Sequence, residues 1–152
     1  MTGWRVGFAV GHEDAINALR QVKDNYDSGV FNAIQDAAAV ALDRFDDPAI
    51  AAMRDEYRKR RDLMVAGLRA IGCDARAPEA GIFVWSPNPM DGSTGRPTDS
   101  WAFVGRLIDQ AGVVTVPGAG FDESAGGWTR WSLTRETHRI AEAMERVKRL
   151  EF

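Results

Sequence analysis

A single candidate strand opens the chain, and no other strand follows for the next 70 residues. Residues 4–10 alternate between large apolar side chains and small or charged ones, which predicts a β-strand. The two segments after it, residues 13–25 and 31–41, carry apolar side chains at helical spacing. One strand and two helices cannot form a sheet, because a strand needs neighbours to satisfy its backbone groups. We therefore expect residues 1–45 to be a piece of a larger structure.

A long helix and a set of shorter elements are predicted next. Asp46-Asp47-Pro48 is a helix start signal, and Gly72 is placed to end the helix. Its apolar stripe consists of Ile50, Met53, Tyr57, Met64, Leu68 and Ile71. Beyond it we predict strands over 82–86, 113–116 and 129–133, a loop over 87–97, a helix capped by Asp99 or Ser100 and ended by Gly112, and a last helix capped by Thr134. This order of elements indicates an α/β or α+β architecture.

The charge balance and the short apolar runs exclude several classes of function. The chain has 152 residues, 19 basic and 22 acidic, and its net charge of −3 provides no overall field for nucleic acid or acidic membranes. Its longest apolar run, Ala37–Leu42, is far shorter than the ~20 residues of a membrane-spanning helix. Since the start lacks a signal-peptide core, we expect a cytoplasmic protein. One cysteine, Cys73, allows no intrachain disulfide, and we predict no metal site.

Two arginines have surroundings that suit the binding of an anion. Arg5 lies on the small-residue face of the predicted first strand, where its planar fork is free to bind a phosphate or carboxylate. An arginine at the end of a strand more commonly forms a salt bridge with a neighbouring carboxylate, so this second role stays open for Arg5. Arg130 lies between Trp128 and Trp131 and follows a glycine-rich approach. It is therefore either a surface ion-pair residue or a cation in an aromatic-walled pocket.

Other candidate residues favour structural roles. The basic run 57–62 resembles a nucleic-acid patch, but residues 54–69 hold six basic and three acidic residues without interleaved aromatics, which favours a solvated helix face. His12 and His138 have no partner at metal-ligand spacing, so we expect both at the surface. We interpret Cys73 as a small, partly buried residue, not a nucleophile, because no base is close in sequence.

Five segments in order carry a resemblance to a known family. They are Met1–Gly7, Tyr57–Asp62, Pro78–Trp85, Gly112–Phe121 and Arg130–Thr134. Together they resemble the class I and II aminotransferases, which are fold-type I enzymes dependent on pyridoxal phosphate. Each segment is a weak signal alone, but five in the right order are specific and extend over the whole chain.

A sixth segment narrows the resemblance. Residues 22–35 are similar to the LL-diaminopimelate aminotransferase group, which transfers amino groups in lysine biosynthesis. Gly127 and Trp128 stand where the family usually has an acidic residue and a tyrosine, so the substrate stays open. Alanine and aspartate aminotransferases remain alternatives.

The resemblance implies an architecture, partners and site residues. It makes the chain a C-terminal fragment of the fold-type I fold, with residues 1–45 the end of the large cofactor domain and residues 46–152 the interdomain helix and α/β small domain. Arg5 is implied to bind the phosphate of pyridoxal phosphate, and Ser28 the phosphate of the partner subunit's cofactor. Arg130 is implied to bind the substrate α-carboxylate. The substrates are an amino acid and a 2-oxo acid, and the complete enzyme is expected to be a homodimer.

The Schiff-base lysine of the family has no counterpart in this chain. In the family it lies a few residues before the position equivalent to Met1, and no lysine here precedes Lys23. The aspartate that pairs with the pyridine nitrogen is also expected upstream. We therefore expect a truncated reading frame or gene fragment that contains no catalytic residue and is inactive alone. The alternative is a non-catalytic interaction domain derived from an aminotransferase small domain.

Overall fold

The chain folds as two compact units. The computed structural model describes residues 1–150 and, of Thr2, only the backbone. Unit 1 is Met1–Ala51 and unit 2 is Ala52–Phe152. The division lies in the first turn of a long helix, α3 (Pro48–Ala70).

Unit 1 consists of helices and extended chain. A 3₁₀ turn at Thr2–Trp4 is followed by helices α1 (Glu13–Tyr26) and α2 (Asn32–Asp43). The strand predicted over residues 4–10 is wrong, because among the described residues of this unit no strand exists with which it can pair. Large and small side chains do alternate there, but alternation alone does not supply a hydrogen-bonding neighbour.

No side chain described in unit 1 is fully buried. The apolar stripe predicted for α1 includes Leu19 and Val22, whose residues are 44% and 65% exposed. Phe8 and Phe31 outside the helices are more exposed still. The unit therefore presents apolar faces without a core of its own.

Unit 2 is built on a three-stranded antiparallel sheet. Its strands are β1 (Phe83–Pro87), β4 (Val116–Pro117) and β5 (Trp128–Ser132), in the order β1-β5-β4. A separate hairpin of β2 (Met90–Asp91) and β3 (Arg96–Pro97) lies within the segment that was predicted to be a loop. The strand predicted over 113–116 pairs with β5 only from Val116 onward.

Three helices complete unit 2. Besides α3 they are α4 (Ser100–Arg106), which continues as a π-helical turn over Leu107–Ala111, and α5 (Thr137–Val147). The predicted cap of α4 is confirmed, since the Asp99 carboxylate accepts hydrogen bonds from two backbone N–H groups at 3.0 Å. The predicted cap of α5 is wrong. The Thr134 hydroxyl lies 2.8 Å from the Ser132 hydroxyl instead, and the helix begins after Glu136.

The core lies between one face of the sheet and the helices. It includes Val84 and Trp131 from the sheet, Met64 and Leu68 from α3, Phe103 and Leu107 from the α4 segment, and Ile140 and Met144 from α5. Gly67 permits the close approach of α5, because a Cβ there would lie 2.7 Å from the Met144 side chain. The predicted stripe of α3 is buried at its C-terminal end, whereas Met53 is 49% exposed.

Two arginines of the basic run hold α3 in place. Arg60 donates to the Thr137 hydroxyl and to the Leu133 carbonyl, each at 3.3 Å, and its side chain is only 16% exposed. Arg61 donates to the Pro78 carbonyl at 3.2 Å. The predicted solvated face therefore holds for Arg58, which is exposed, and is wrong for these two residues.

Candidate functional site

The face of the sheet that points away from the core carries aromatic side chains around one cation. Side chains alternate along a strand, so the burial of Val84 and Trp131 turns their neighbours to the opposite face. Those neighbours are Phe83 and Trp85 on β1 and Trp128 and Arg130 on β5. In the register of the sheet, Arg130 stands opposite Trp85 on one side and Val116 on the other. It is therefore the central residue of this open face.

Aromatic rings, not carboxylates, surround the charge of Arg130. Its Cζ lies 4.3 Å from the centre of the Phe83 ring and 4.7 Å from that of Phe121, both within the range of cation–π interactions. No described residue forms an ion pair with it, and its Nε is buried without a hydrogen-bond acceptor. A half-buried charge without a counter-charge is unfavourable. A carboxylate bound by the guanidinium fork would supply the missing counter-charge.

Two tryptophans extend the aromatic surface beside Arg130. Trp85 and Trp128 stack with their ring centres 6.0 Å apart and their planes 11° apart. The Phe121 ring meets Trp85 edge-on at 5.8 Å. The rings pack against one another in the geometries that aromatic pairs prefer. Of the two interpretations that the sequence left open for Arg130, the structure supports the aromatic surroundings.

A close backbone approach positions the start of β5. Gly118 begins a 3₁₀ turn, Gly118–Gly120, directly after β4. A Cβ at Gly118 would lie 2.2 Å from the Ala125 carbonyl oxygen and 2.7 Å from that of Trp128. Only glycine allows the two backbone segments to come this close, and the turn leads directly into Phe121, one of the rings over Arg130.

A buried asparagine holds β5 from the core side. The Asn88 amide donates from its backbone N–H to the Gly127 carbonyl and from Nδ2 to the Thr98 carbonyl, both at 2.8 Å. Its Oδ1 accepts from the Thr129 hydroxyl at 2.7 Å. Sequence reasoning missed this residue. Its position between two prolines, Pro87 and Pro89, is the one signal that marked the segment as unusual.

The two predicted phosphate ligands belong to unit 1 and are exposed. The Arg5 side chain has no ion pair or hydrogen bond to a described residue, and with φ of +54° Arg5 is the one non-glycine residue of the described chain with positive φ. Such a conformation costs of order 1–2 kcal/mol, and strained residues of this kind cluster at functional sites. A cavity of about 390 Å³ lies against Arg5 and Gly7, where an added Cβ would meet no atom within 4 Å. An exposed cation beside a small residue fits a phosphate.

Ser28 lies in the link between α1 and α2. The preceding Asp27 carboxylate accepts from Lys23 Nζ at 2.9 Å and from the Gly29 N–H at 2.8 Å. These two hydrogen bonds, with Lys23 the stronger influence, lower the pKa of Asp27. A second cavity, of about 400 Å³, is lined by both Gly7 and Gly29. The segment after Arg5 and the segment after Ser28 therefore share one groove, whereas Arg130 belongs to unit 2.

The remaining candidates take no part in a site. Burial raises the pKa of the Cys73 thiol to about 11, although a hydrogen bond with Ser86 opposes the shift. The prediction that Cys73 is not a nucleophile agrees with this value, and the residue is more deeply buried than expected. His12 and His138 are both exposed, as predicted.

Comparison with known proteins identifies the family. The sequence profile of the family described as aminotransferase class I and II matches residues 1–147. The chain belongs to that family. The fold-type I architecture and the resemblance carried by the five motifs are thereby confirmed.

Individual aminotransferases show the same relationship. The chain is 45% identical over 150 residues to the LL-diaminopimelate aminotransferase of Oleidesulfovibrio alaskensis, a match that covers 99% of this chain and 37% of that protein. It is 44% identical to the LL-diaminopimelate aminotransferase of Aquifex aeolicus, over 100% of this chain and 38% of that one. The solved structure of aspartate aminotransferase from Thermus thermophilus with maleate matches with a TM-score of 0.75 and 32% identity, over 98% of this chain and 37% of that one.

The chain thus corresponds to rather more than a third of the length of these aminotransferases. Within residues 1–150, no helix combines the length and the apolar character that crossing a membrane requires.

Proposed function

We propose that this chain forms the C-terminal part of a pyridoxal-phosphate-dependent aminotransferase, in which Arg130 binds the α-carboxylate of an amino acid or 2-oxo acid. The observation that carries the proposal is the state of the Arg130 guanidinium, which is half-buried between two rings and has a buried Nε without an acceptor. A bidentate carboxylate would supply the missing counter-charge and fix the direction of the bond between the carboxyl carbon and Cα.

The aromatic surface gives that contact its strength. The rings of Phe83 and Phe121 exclude water from two sides of the guanidinium, and ionic hydrogen bonds are stronger where water is excluded. They also stop the long Arg130 side chain from turning away, because each ring is in contact with the charged end. The role of the residue in the reaction is therefore positioning: it holds the Cα–H bond of the substrate in one orientation.

Arg5 and Ser28 are proposed to hold the cofactor phosphate. The exposed guanidinium of Arg5 suits a phosphate dianion, and the small Gly7 leaves room for it to approach. Ser28 offers a hydroxyl donor between Asp27 and Gly29, which are joined by a hydrogen bond, and we propose that it acts across the interface of a homodimer. When bound, pyridoxal phosphate supplies the electron sink for loss of the Cα proton. The division into the end of a cofactor domain, residues 1–45, and a small domain, residues 46–152, is part of the same proposal.

LL-diaminopimelate is the first amino donor to test, because the relatives that carry that name are 41–45% identical to this chain. The Thermus structure with maleate indicates that a related enzyme accepts a dicarboxylate. Trp128 stands beside Arg130 and stacks on Trp85, so we expect the large indole ring to restrict the space next to the bound carboxylate.

The polypeptide of these 152 residues is proposed to be inactive alone. Two of its three lysines are held in ion pairs, Lys23 with Asp27 at 2.9 Å and Lys148 with Glu145 at 2.7 Å. The third, Lys59, is exposed on α3 between Arg58 and Arg60. Incubation with pyridoxal phosphate, LL-diaminopimelate and 2-oxoglutarate is expected to give no glutamate. Formation of glutamate at a rate above that of the cofactor alone would contradict this proposal.

Carboxylate binding tests the role of Arg130 without requiring turnover. We expect 2-oxoglutarate to shift the Nε–H resonance of Arg130 saturably in ¹⁵N–¹H spectra of the 152-residue chain. Arg130→Lys keeps the charge and loses the fork, so the affinity should fall at least about tenfold, since one bidentate contact provides about 1.5–3 kcal/mol. The matched control, Arg76→Lys, replaces an exposed arginine of unit 2 and should bind as the original chain does. Equal affinity of the two variants would contradict the assignment.

A further inference from the structure

A second cation in unit 2 lacks a counter-charge, and it lies beside a cleft that none of the roles above uses. The cleft has a volume of about 630 Å³ and is bordered by residues 113–115, the end of β5 and helix α5. Arg130 does not line it. We propose that this cleft is a binding site for a small oxyanion, a phosphate or a dicarboxylate, held by Arg146 and Thr115.

The cleft exists because the sheet opens at one end. β4 pairs with β5 only at Val116 and Pro117, although the antiparallel register would place Val114 opposite Ser132. The β-branched run over residues 113–116 predicted a strand that begins at residue 113. Instead, residues 113–115 stay unpaired and Val114 is 80% exposed. Residues 113–115 and the last two residues of β5 all line the cleft.

Two buried polar atoms on the lining have no partner. They are the Thr115 hydroxyl oxygen and the Arg146 Nε, and with Arg130 Nε they are the three such side-chain atoms found among the described residues. Buried polar groups in folded proteins are almost always hydrogen-bonded, so an unpartnered one is unusual. Two of the three belong to residues that line the same cleft. An anion in the cleft would satisfy both atoms once the two side chains turn toward it.

The charges around the cleft favour an anion. Of the charged residues that line it, three are arginines and one, Glu136, is acidic. Arg139 is already paired with Glu142 at 2.7 Å. Arg135 contributes to lowering the pKa of Glu136, although the chief cause is a hydrogen bond from the backbone N–H of Glu136 itself. Arg146 forms no ion pair with a described residue, so its charge is the one left to be neutralised.

A glycine gives Arg146 its position. The Arg146 Nη1 lies 3.3 Å from the place where a Cβ of Gly112 would stand, and Gly112 has φ of +61° as the residue that ends the α4 segment. The partial negative charge at the C-terminus of that helix helps to hold the guanidinium there. No described carbonyl, those of the helix end included, accepts from the buried Nε, so this N–H still lacks a partner.

The oxyanion class follows from these donors. A guanidinium edge and one hydroxyl match the oxygens of a single phosphate or carboxylate group. The cleft is larger than one such group, which suits a small organic molecule that carries it. Phosphate and succinate are therefore the two probes, and sodium chloride at equal ionic strength serves as the control for general screening.

The test measures binding to the 152-residue chain by calorimetry and by the Nε–H resonance of Arg146. We expect saturable binding of at least one probe. Its affinity should fall at least tenfold in Arg146→Gln, which loses the charge, and in Arg146→Lys, which keeps the charge and the aliphatic part of the side chain. Arg149→Gln makes the same change of charge three residues further on at an exposed position, and its affinity should stay within twofold of the original. Tighter binding of phosphate identifies a phosphorylated ligand, and tighter binding of succinate a dicarboxylate.

Thr115→Val separates a ligand-binding hydroxyl from a merely unpartnered one. Loss of the hydroxyl should weaken binding of the preferred probe and raise the melting temperature of the ligand-free chain. Absence of saturable binding of both probes, equal weakening in Arg149→Gln, or unchanged affinity in Thr115→Val would each overturn the proposal.

Discussion

Replacing Gly118 by alanine should destabilise unit 2 strongly, because the added Cβ has no room. It would lie 2.2 Å from the Ala125 carbonyl oxygen, about 1 Å inside the shortest ordinary C···O approach of about 3.3 Å. A second carbonyl oxygen, that of Trp128, would be 2.7 Å away. Both atoms belong to the backbone, so neither contact is relieved by a change of rotamer. The turn and the start of β5 have to move apart.

The expected loss follows from the cost of overpacking. Such insertions cost about 1–3 kcal/mol where side chains adjust, and we expect the upper end of that range here. Alanine also reduces the entropy of the unfolded chain, which offsets about 0.4–1 kcal/mol. The net loss of about 2–3 kcal/mol corresponds to a fall in melting temperature of about 10–20 °C for a domain of this size.

Gly120→Ala is the matched control in the same turn. Its Cβ would meet only the Pro117 ring, at 3.9 Å, which is an ordinary contact. We expect the free energy of unfolding to stay within about 0.5 kcal/mol of the original. Urea unfolding of the 152-residue chain, followed by near-ultraviolet circular dichroism, measures both variants. Equal stability of Gly118→Ala and Gly120→Ala would refute the close-approach argument.

Three further outcomes are expected. Arg60→Met should lower the free energy of unfolding by about 1–3 kcal/mol in urea titrations, because two partly buried acceptors lose their donor, whereas Arg58→Met at an exposed position should be nearly neutral. Thr129→Val should cost a similar amount by leaving the buried Asn88 Oδ1 without its donor. Cys73 should react with iodoacetamide only slowly at pH 8 and faster as the pH rises toward the raised pKa of about 11; rapid labelling of the folded chain at pH 7 would contradict the burial of the thiol.

The helices could be predicted from the sequence because their signals are local. The start of α3 at Pro48, the Asp99 cap and the end at Gly112 each depend on residues within one turn, and each is confirmed. The strand predicted over residues 4–10 failed because pairing depends on a neighbour that local alternation cannot reveal. Thr134 failed as a cap because its hydroxyl pairs with the Ser132 hydroxyl and the helix begins only at Thr137.

The candidate site was predictable in part. The glycine-rich approach and the flanking tryptophans made Arg130 a candidate for an aromatic pocket, but the rings that contact its charge come from Phe83 and Phe121. Phe83 is 47 residues away along the chain, and only the antiparallel register of β1 and β5 brings it close. The family resemblance could assign Arg130 a role, whereas it could not say that its Nε is buried without an acceptor.

Three arginines of unit 2 show what separates a structural cation from a ligand-binding one. Arg60, Arg130 and Arg146 are all partly buried and all lie in charged or aromatic stretches of sequence. Arg60 finds carbonyl and hydroxyl acceptors in its own chain, so its charge stabilises the fold. Arg130 and Arg146 have a buried Nε without any acceptor. Burying a donor without an acceptor is unfavourable unless a ligand supplies the acceptor. An anion is the ligand that satisfies both the charge and the hydrogen bond of a guanidinium. The binding experiments on the two residues therefore test one physical principle at two separate sites, and either site can fail without the other.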